Sequence, residues 1–134
     1  MIQFQTISYF RQRIEALKKV KRGVYATVEE EIRREFTSKS IDSIRVNNDM
    51  VLIDEPRIII KLRLPDKKHK LAQKDGYRLL YLVYKDREDV AFLDIYPQNG
   101  PMQQLDEADD VIAELVSQYA SEKEANTLET FEIL

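Results

Sequence analysis

Three apolar runs in the middle of the chain constrain the fold more than any other feature of the sequence. RIIIKLRL begins at residue 57, YRLLYLVY at residue 77 and VAFLDIY at residue 90, and polar segments separate them. Short runs rich in branched and aromatic side chains predict strands, which we expect to join in chain order as an antiparallel meander. The second and third runs are apolar almost throughout, so both faces of these strands should be covered.

Apolar residues recur at helical spacing on either side of the meander. After a short opening strand at residues 2–5, two helices are marked by apolar residues three or four positions apart: Phe10, Ile14 and Leu17, then Val28, Ile32 and Phe36. Thr27 and Glu30 form a capping-box pattern at the start of the second helix. Residues 105–119 predict a last helix, with acidic residues in the first turn as the helix dipole favours.

These elements predict an α+β domain in which two N-terminal helices pack on a twisted antiparallel sheet of about four to five strands, with a C-terminal helix. The further strands are SIDSIRV at residues 40–46 and MVLI at residues 50–53, joined by the polar turn Asn47-Asn48-Asp49. One hydrophobic core serves a chain of 134 residues. We therefore expect a single domain over residues 1–120 and an acidic C-terminal tail over residues 121–134.

Composition excludes several kinds of site. The chain has no cysteine, which excludes disulfides, thiol nucleophiles and thiolate metal sites. One histidine, three glycines and no metal-ligand or phosphate-loop spacing lead us to expect no metal and no cofactor. No stretch approaches the roughly 18 apolar residues of a membrane span, and the N-terminus lacks the apolar core of a signal peptide. We expect a cytoplasmic protein without a membrane partner.

Charge is divided sharply along the chain, although the net charge is only −3. Residues 57–87 carry ten Lys and Arg against three Asp, whereas residues 88–134 carry one Lys against twelve acidic residues. The middle predicts a cationic surface for a polyanion, and the C-terminal part would repel one. The alternative is that the two parts neutralise each other across the folded surface.

The middle third of the chain carries four pieces in a fixed order. Lys61-Leu62-Arg63-Leu64 is followed by a basic loop from Lys67 to Lys74, then Gly76-Tyr77-Arg78, then the apolar strand Val90 to Tyr96. This order resembles the RelE/ParE superfamily of bacterial toxins, and the long basic loop is closest to its HigB-like branch. The resemblance implies the toxin of a toxin–antitoxin module, a RelE/HigB-like mRNA interferase that cleaves ribosome-associated mRNA and has a cognate antitoxin protein as partner.

The resemblance also implies roles for individual residues. The residues at the expected catalytic positions are Lys61, Arg63, Arg78 and Tyr96. The residues of the loop expected to bind RNA are Lys67, Lys68, His69, Lys70 and Lys74. Arg78 would clamp a phosphate, because a guanidinium can hold two phosphate oxygens at once. The chain departs from the pattern at Ile59, where a lysine is expected, and after Tyr96, where Pro97 and Gln98 replace a cation. These departures favour two alternatives. One is a non-catalytic member that acts by protein binding, as a ParE-like gyrase inhibitor or a partner-binding module, and the other is a structural domain with a decayed site.

Three interpretations stay open on the sequence. Lys61 and Arg63 share a strand face that either contacts nucleic acid or meets only water. Four tyrosines, which are Tyr77, Tyr81, Tyr84 and Tyr96, either stack on unpaired bases or fill the core. The acidic tail either folds back over the cationic face and the basic loop or frays into solvent. No feature sets an oligomeric state.

Overall fold

The computed structural model describes residues 1–46, 50–54 and 56–134, with the backbone alone for residues 50–54. The elements in chain order are β1 (Gln3–Thr6), α1 (Ser8–Lys18), α2 (Val28–Phe36), α3 (Ile41–Arg45), β2 (Met50–Asp54), β3 (Arg57–Leu64), β4 (Tyr77–Tyr84), β5 (Asp89–Pro97), α4 (Asp109–Ala125) and β6 (Glu129–Thr130). Short 3₁₀ turns lie at Lys21–Gly23, Lys67–His69 and Gln73–Asp75. The predicted α+β class, with N-terminal helices, a mostly antiparallel sheet and a C-terminal helix, is confirmed.

The strands form one sheet in the order β2-β3-β4-β5-β1-β6. The strands β2 to β5 make the predicted meander, whereas β1 runs parallel to β5 and lies between it and the two-residue strand β6. A bulge in β5 falls at Leu93, because Leu80 is opposite Asp94 while Tyr81 is opposite Phe92. Because β3, β4 and β5 are antiparallel neighbours, the basic segment between β3 and β4 lies at the same end of the sheet as residues 98–108, which follow β5.

Helices cover both faces of the sheet. On one face the α2 residue Phe36 contacts the rings of Phe92 and Tyr81, at centroid distances of 5.4 and 5.5 Å. On the other face the α4 residue Tyr119 packs against Tyr84 at 6.5 Å. Tyr81 and Tyr84 are three positions apart on β4 and so point to opposite faces. This two-sided cover explains the almost unbroken burial of β4 and β5 that the sequence predicts.

The predicted strand SIDSIRV is wrong, because residues 41–45 form the helix α3. The Ser40 side chain accepts a hydrogen bond from the Ser43 backbone N–H at 3.2 Å, which caps this helix. Ile41 and Ile44, three positions apart, fit a helical turn that packs Ile44 into the core. The predicted turn at residues 47–49 lies outside the described residues. The predicted capping box is also absent, since Thr27 makes no side-chain cap at α2.

The acidic tail takes neither of the two expected arrangements. Residues 121–125 complete α4, so the expected boundary after residue 120 falls inside a helix. Residues 129–130 pair with β1, which β4 and β5 separate from β3, so the tail does not cover the cationic strand face. In the part of the chain that the structure describes, no helix has the length and apolar character needed to cross a membrane.

Candidate functional site

The segment joining β3 to β4 is exposed and well ordered. Asp66 and Leu71 exchange backbone hydrogen bonds of 3.1 and 2.9 Å, which close the loop into a compact turn. The loop returns to the sheet at Gly76, where a Cβ atom would lie 2.1 Å from the carbonyl oxygen of Leu64. Only glycine allows this close approach of two backbone segments. The loop presents to solvent all of the residues expected to bind RNA: Lys67, Lys68, His69, Lys70 and Lys74.

Contacts from other elements anchor this loop. The buried carboxylate of Glu31, on α2, accepts a 2.5 Å hydrogen bond from the backbone N–H of Lys67. The ammonium group of Lys68 donates to the carbonyl oxygen of Gly23. The guanidinium of Arg78 donates to the carbonyl oxygens of Gln73 and Lys74, at 3.1 and 2.9 Å. The loop therefore presents its cations on a fixed backbone rather than on a mobile one.

Within the loop, Asp66 and His69 form a paired group. His69 Nδ1 lies 2.7 Å from Asp66 Oδ2. Asp66 is buried, with only 4% of the residue exposed. The His69 backbone N–H also approaches the other carboxylate oxygen, at 3.4 Å. The imidazole is 39% exposed, and no described contact engages Nε2. With the proton on Nδ1, this pairing leaves the Nε2 lone pair available to accept a proton from a bound molecule.

The strand residues that the resemblance singles out lie close together on one sheet face. Arg63, Arg78 and Tyr96 are directly opposite one another across β3, β4 and β5. Lys61 lies in the next row of the same face, opposite Leu80, which is opposite Asp94. The sheet register thus brings all four predicted catalytic residues to one region, at the end next to the basic loop.

Two of these four residues are not available to a substrate in this structure. Tyr96 is fully buried, and burial raises the pKa of its hydroxyl, with the nearby carboxylates of Glu107 and Asp106 adding to the rise. Lys61 forms an ion pair with Asp106, whose pKa the hydrogen bond from Lys61 lowers. Arg63 is exposed, and Arg78 holds the loop carbonyls described above. Burial and a raised pKa therefore do not support the catalytic role that the resemblance implies for Tyr96.

The structure decides between the two interpretations that the sequence leaves open for the tyrosines. All four side chains belong to the core, with exposures of 9% or less: Tyr77, Tyr81, Tyr84 and Tyr96. A ring that stacks on an unpaired base needs an open face, and none of the four offers one. The alternative that the tyrosines fill the core is the correct one.

A buried charge cluster next to Tyr96 was missed from the sequence. Asp94 is fully buried and accepts hydrogen bonds from Arg13 Nε and Nη2, at 2.9 and 3.1 Å. Arg13 Nη2 also donates to the Gln104 side chain at 3.2 Å. Glu107 is 8% exposed, and burial together with the neighbouring Asp94 raises its pKa to about 8. The available signal was the single acidic residue within the apolar run VAFLDIY, because a charge in a central strand needs a buried partner.

Residues 98–108, the strap between β5 and α4, close this cluster. Glu107 enters it from the strap, and neither of its carboxylate oxygens has a donor among the described residues. Burial and the neighbouring Asp94 carboxylate therefore favour the protonated form of Glu107. No group of three or more His, Asp or Glu among the described residues has the arrangement of a metal site.

Comparison of the chain with family models, with curated proteins and with solved structures finds no match in any of the three. The residues of this site that can take part in chemistry are the exposed lysines of the loop and the Asp66–His69 pair.

Proposed function

We propose that the basic loop binds single-stranded RNA and cleaves it, with His69 as the group that accepts the 2′-hydroxyl proton. In biological terms the proposal is a RelE/HigB-like toxin that acts on ribosome-associated mRNA and is held inactive by a cognate antitoxin. The observation that carries the proposal is the Asp66–His69 pair, which lies among exposed lysines on a fixed loop.

Charge supports the binding half of the proposal. Lys67, Lys68, Lys70 and Lys74 are all exposed, and so is Arg63 on the adjacent strand β3. Lysine and arginine attract nucleic acid mainly by releasing condensed counterions from the phosphates. The anchored backbone supports it further, because a surface that is already ordered loses less conformational entropy when it binds.

The Asp66–His69 pair supports the cleavage half. The carboxylate orients the imidazole, and Nε2 takes the proton of the 2′-hydroxyl while that oxygen attacks the adjacent phosphorus. The bond from phosphorus to the 5′ oxygen then breaks, and the leaving oxygen takes a proton from a lysine ammonium group or from water. The products are a 2′,3′-cyclic phosphate and a 5′-hydroxyl, and His69 returns its proton to solvent. Lysine charges stabilise the extra negative charge of the transition state.

The first test of this proposal is the substitution His69→Ala. We expect RNA cleavage by purified protein, with ribosomes and mRNA present, to fall by at least about 100-fold, because a positioned proton acceptor typically contributes that much. Binding should change little, since the lysines remain. Cleavage is measured by primer extension and binding by fluorescence anisotropy. Gln73→Ala, an exposed change in the same loop, is the matched control and should keep full activity.

A variant that cleaves as fast as the unmodified protein would contradict the catalytic role of His69. A second candidate function, protein binding without catalysis, is favoured by the burial of Tyr96 and the ion pair of Lys61. It predicts no cleavage by the unmodified protein. If that chain arrests growth when expressed, and its neighbouring gene relieves the arrest, gyrase or another protein becomes the target to assay.

The second test concerns the salt dependence of binding. Replacing Lys70 with glutamine should flatten the slope of log affinity against log salt by about 0.7 for each phosphate that the loop no longer neutralises. Replacing all four loop lysines should flatten it in proportion. Lys19→Gln changes an exposed lysine that follows α1, outside the loop, and serves as the matched control. Equal slopes for the Lys70 and Lys19 variants would show that the loop does not contact phosphates.

A further inference from the structure

The C-terminal residues 128–134, here called the terminal segment, lie along the outer edge of β1, with Glu129 and Thr130 paired to it as β6. Thr130 lies opposite Gln5, and the backbone N–H of Phe131 donates to the carbonyl oxygen of Phe4 at 2.8 Å. The hydroxyl of Thr6 also donates to the carbonyl oxygen of Glu129, at 3.1 Å. These contacts are those by which an extended peptide adds to a sheet edge.

One aromatic side chain anchors the terminal segment to the core. The ring of Phe131 packs edge-on against Phe92 and Phe10, at centroid distances of 5.3 and 6.2 Å. The guanidinium of Arg33 lies 5.1 Å from the centroid of the same ring. Phe92, Phe10 and Arg33 thus form a pocket around the Phe131 ring, with apolar rings below it and a cation over its face. A pocket of this kind favours an aromatic side chain.

Two arginines on neighbouring helices contact the terminal segment, and each also pairs with a carboxylate elsewhere in the chain. Arg11 Nε lies 3.3 Å from a carboxylate oxygen of Glu129, and Arg33 Nε donates to the carbonyl oxygen of Glu132 at 2.9 Å. An acidic residue two positions before the anchor is thereby recognised by charge. The chemistry of the occupant follows directly: an extended peptide with the order acidic residue, spacer, phenylalanine.

A short backbone ladder joins the terminal segment to the sheet, beside the anchoring ring of Phe131. The ladder with β1 is two residues long, and Glu129, Thr130, Glu132 and Leu134 are exposed. A separate open cavity of about 520 Å³ lies beside the terminal segment. It is lined by residues 1–5, residues 36–38 and residues 130–134. A short two-residue ladder at a chain end is the kind of contact that opens locally at low cost in free energy.

We propose that the edge of β1, with Arg11, Arg33 and the Phe131 pocket, is a docking site for an acidic, phenylalanine-containing extended segment of a partner protein. The terminal segment is its intramolecular competitor and keeps the site closed until the partner binds. The site is separate from the basic loop, since β5 and β4 lie between β1 and β3. The inference therefore does not depend on RNA binding or cleavage.

The test uses the full chain and a labelled peptide, NTLETFEIL, that copies residues 126–134. We expect the Glu129→Lys and Phe131→Ala proteins to bind the peptide at least about tenfold more tightly than the unmodified protein, because tethering gives the native segment an effective concentration in the millimolar range. Glu124→Lys, an exposed charge reversal on α4, is the matched control and should bind like the unmodified protein. A peptide with alanine in place of phenylalanine should not bind.

Fluorescence anisotropy gives the affinities, and a circular-dichroism melt checks that each variant is folded. Glu129→Lys keeps the test decisive if Phe131→Ala is unfolded, because the Glu129 side chain is 66% exposed and adds nothing to the core. Adding Arg33→Gln to Glu129→Lys should reverse the gain in affinity. Equal binding by Glu129→Lys, Glu124→Lys and the unmodified protein would overturn the proposal. So would a dimer formed by exchange of terminal segments, which would assign the docking site to a second copy of the chain.

Discussion

Phe92→Ala should lower the free energy of unfolding by about 3–5 kcal/mol, the largest effect on stability that we expect from any single change. The ring of Phe92 is fully buried and packs against the rings of Phe4, Phe10, Phe36 and Phe131, with centroids 5.3 to 5.8 Å away. These rings come from β1, α1, α2 and the terminal segment. They cannot all move inward to fill the space that the Phe92 ring leaves, so the cavity adds to the cost of the buried area that is removed.

Urea unfolding followed by circular dichroism measures this destabilisation. Leu105→Ala is the control, because its side chain is 71% exposed and the change should alter stability by less than about 0.5 kcal/mol. A destabilisation below about 1.5 kcal/mol for Phe92→Ala, well under the range for such a truncation, would mean that the aromatic cluster can repack. That result would contradict the idea that the Phe92 ring holds α1, α2 and the terminal segment together.

Glu107→Gln should remove a large pH dependence of stability. The pKa of Glu107 is raised to about 8 in the folded chain from an ordinary value of 4.5, so the folded state retains a proton that the unfolded state releases. The stability from this carboxyl group is therefore fully present below about pH 4.5 and is lost as the pH rises to about 8. Over that window the free energy of unfolding falls as the pH rises, because the folded state binds more protons than the unfolded state.

Urea unfolding at several pH values between about 5 and about 8 tests this expectation. The unmodified protein should become less stable as the pH rises, and the Glu107→Gln protein should lack the Glu107 contribution to that slope. Glu114→Gln, an exposed change on α4, should keep the slope of the unmodified protein. Identical slopes for the Glu107 and Glu114 variants would show that Glu107 is ionised in the fold.

This cluster matters for the proposed function because the strap that carries Glu107 also carries Asp106, the partner of Lys61. The strap thus occupies the face on which Lys61, Arg63, Arg78 and Tyr96 lie, while the basic loop remains open. This arrangement is the reason for assigning proton transfer to His69. The sequence motif alone favours the strand residues, which the strap covers in part.

The sequence predicted the sheet well because burial on both faces leaves a direct mark on it. A strand covered on one side alternates polar and apolar residues, whereas β4 and β5 are apolar almost throughout. Their short length and their branched and aromatic side chains distinguish them from buried helix segments. The exposed basic loop was predictable for the opposite reason, since its lysines offer nothing to bury. The segment that became α3 was not, because an isoleucine at every third position fits a helical turn as well as a short strand.

What only the tertiary structure decided depends on contacts between residues distant in the sequence. The pairing of Arg13 with Asp94, the entry of Glu107 beside them and the pairing of Lys61 with Asp106 each join residues at least 13 positions apart. The docking of the terminal segment on β1 joins the two ends of the chain. Local patterning specifies which residues are buried and in which kind of element. It does not specify which buried charge meets which partner, because that choice follows from the order of the strands and the register between them.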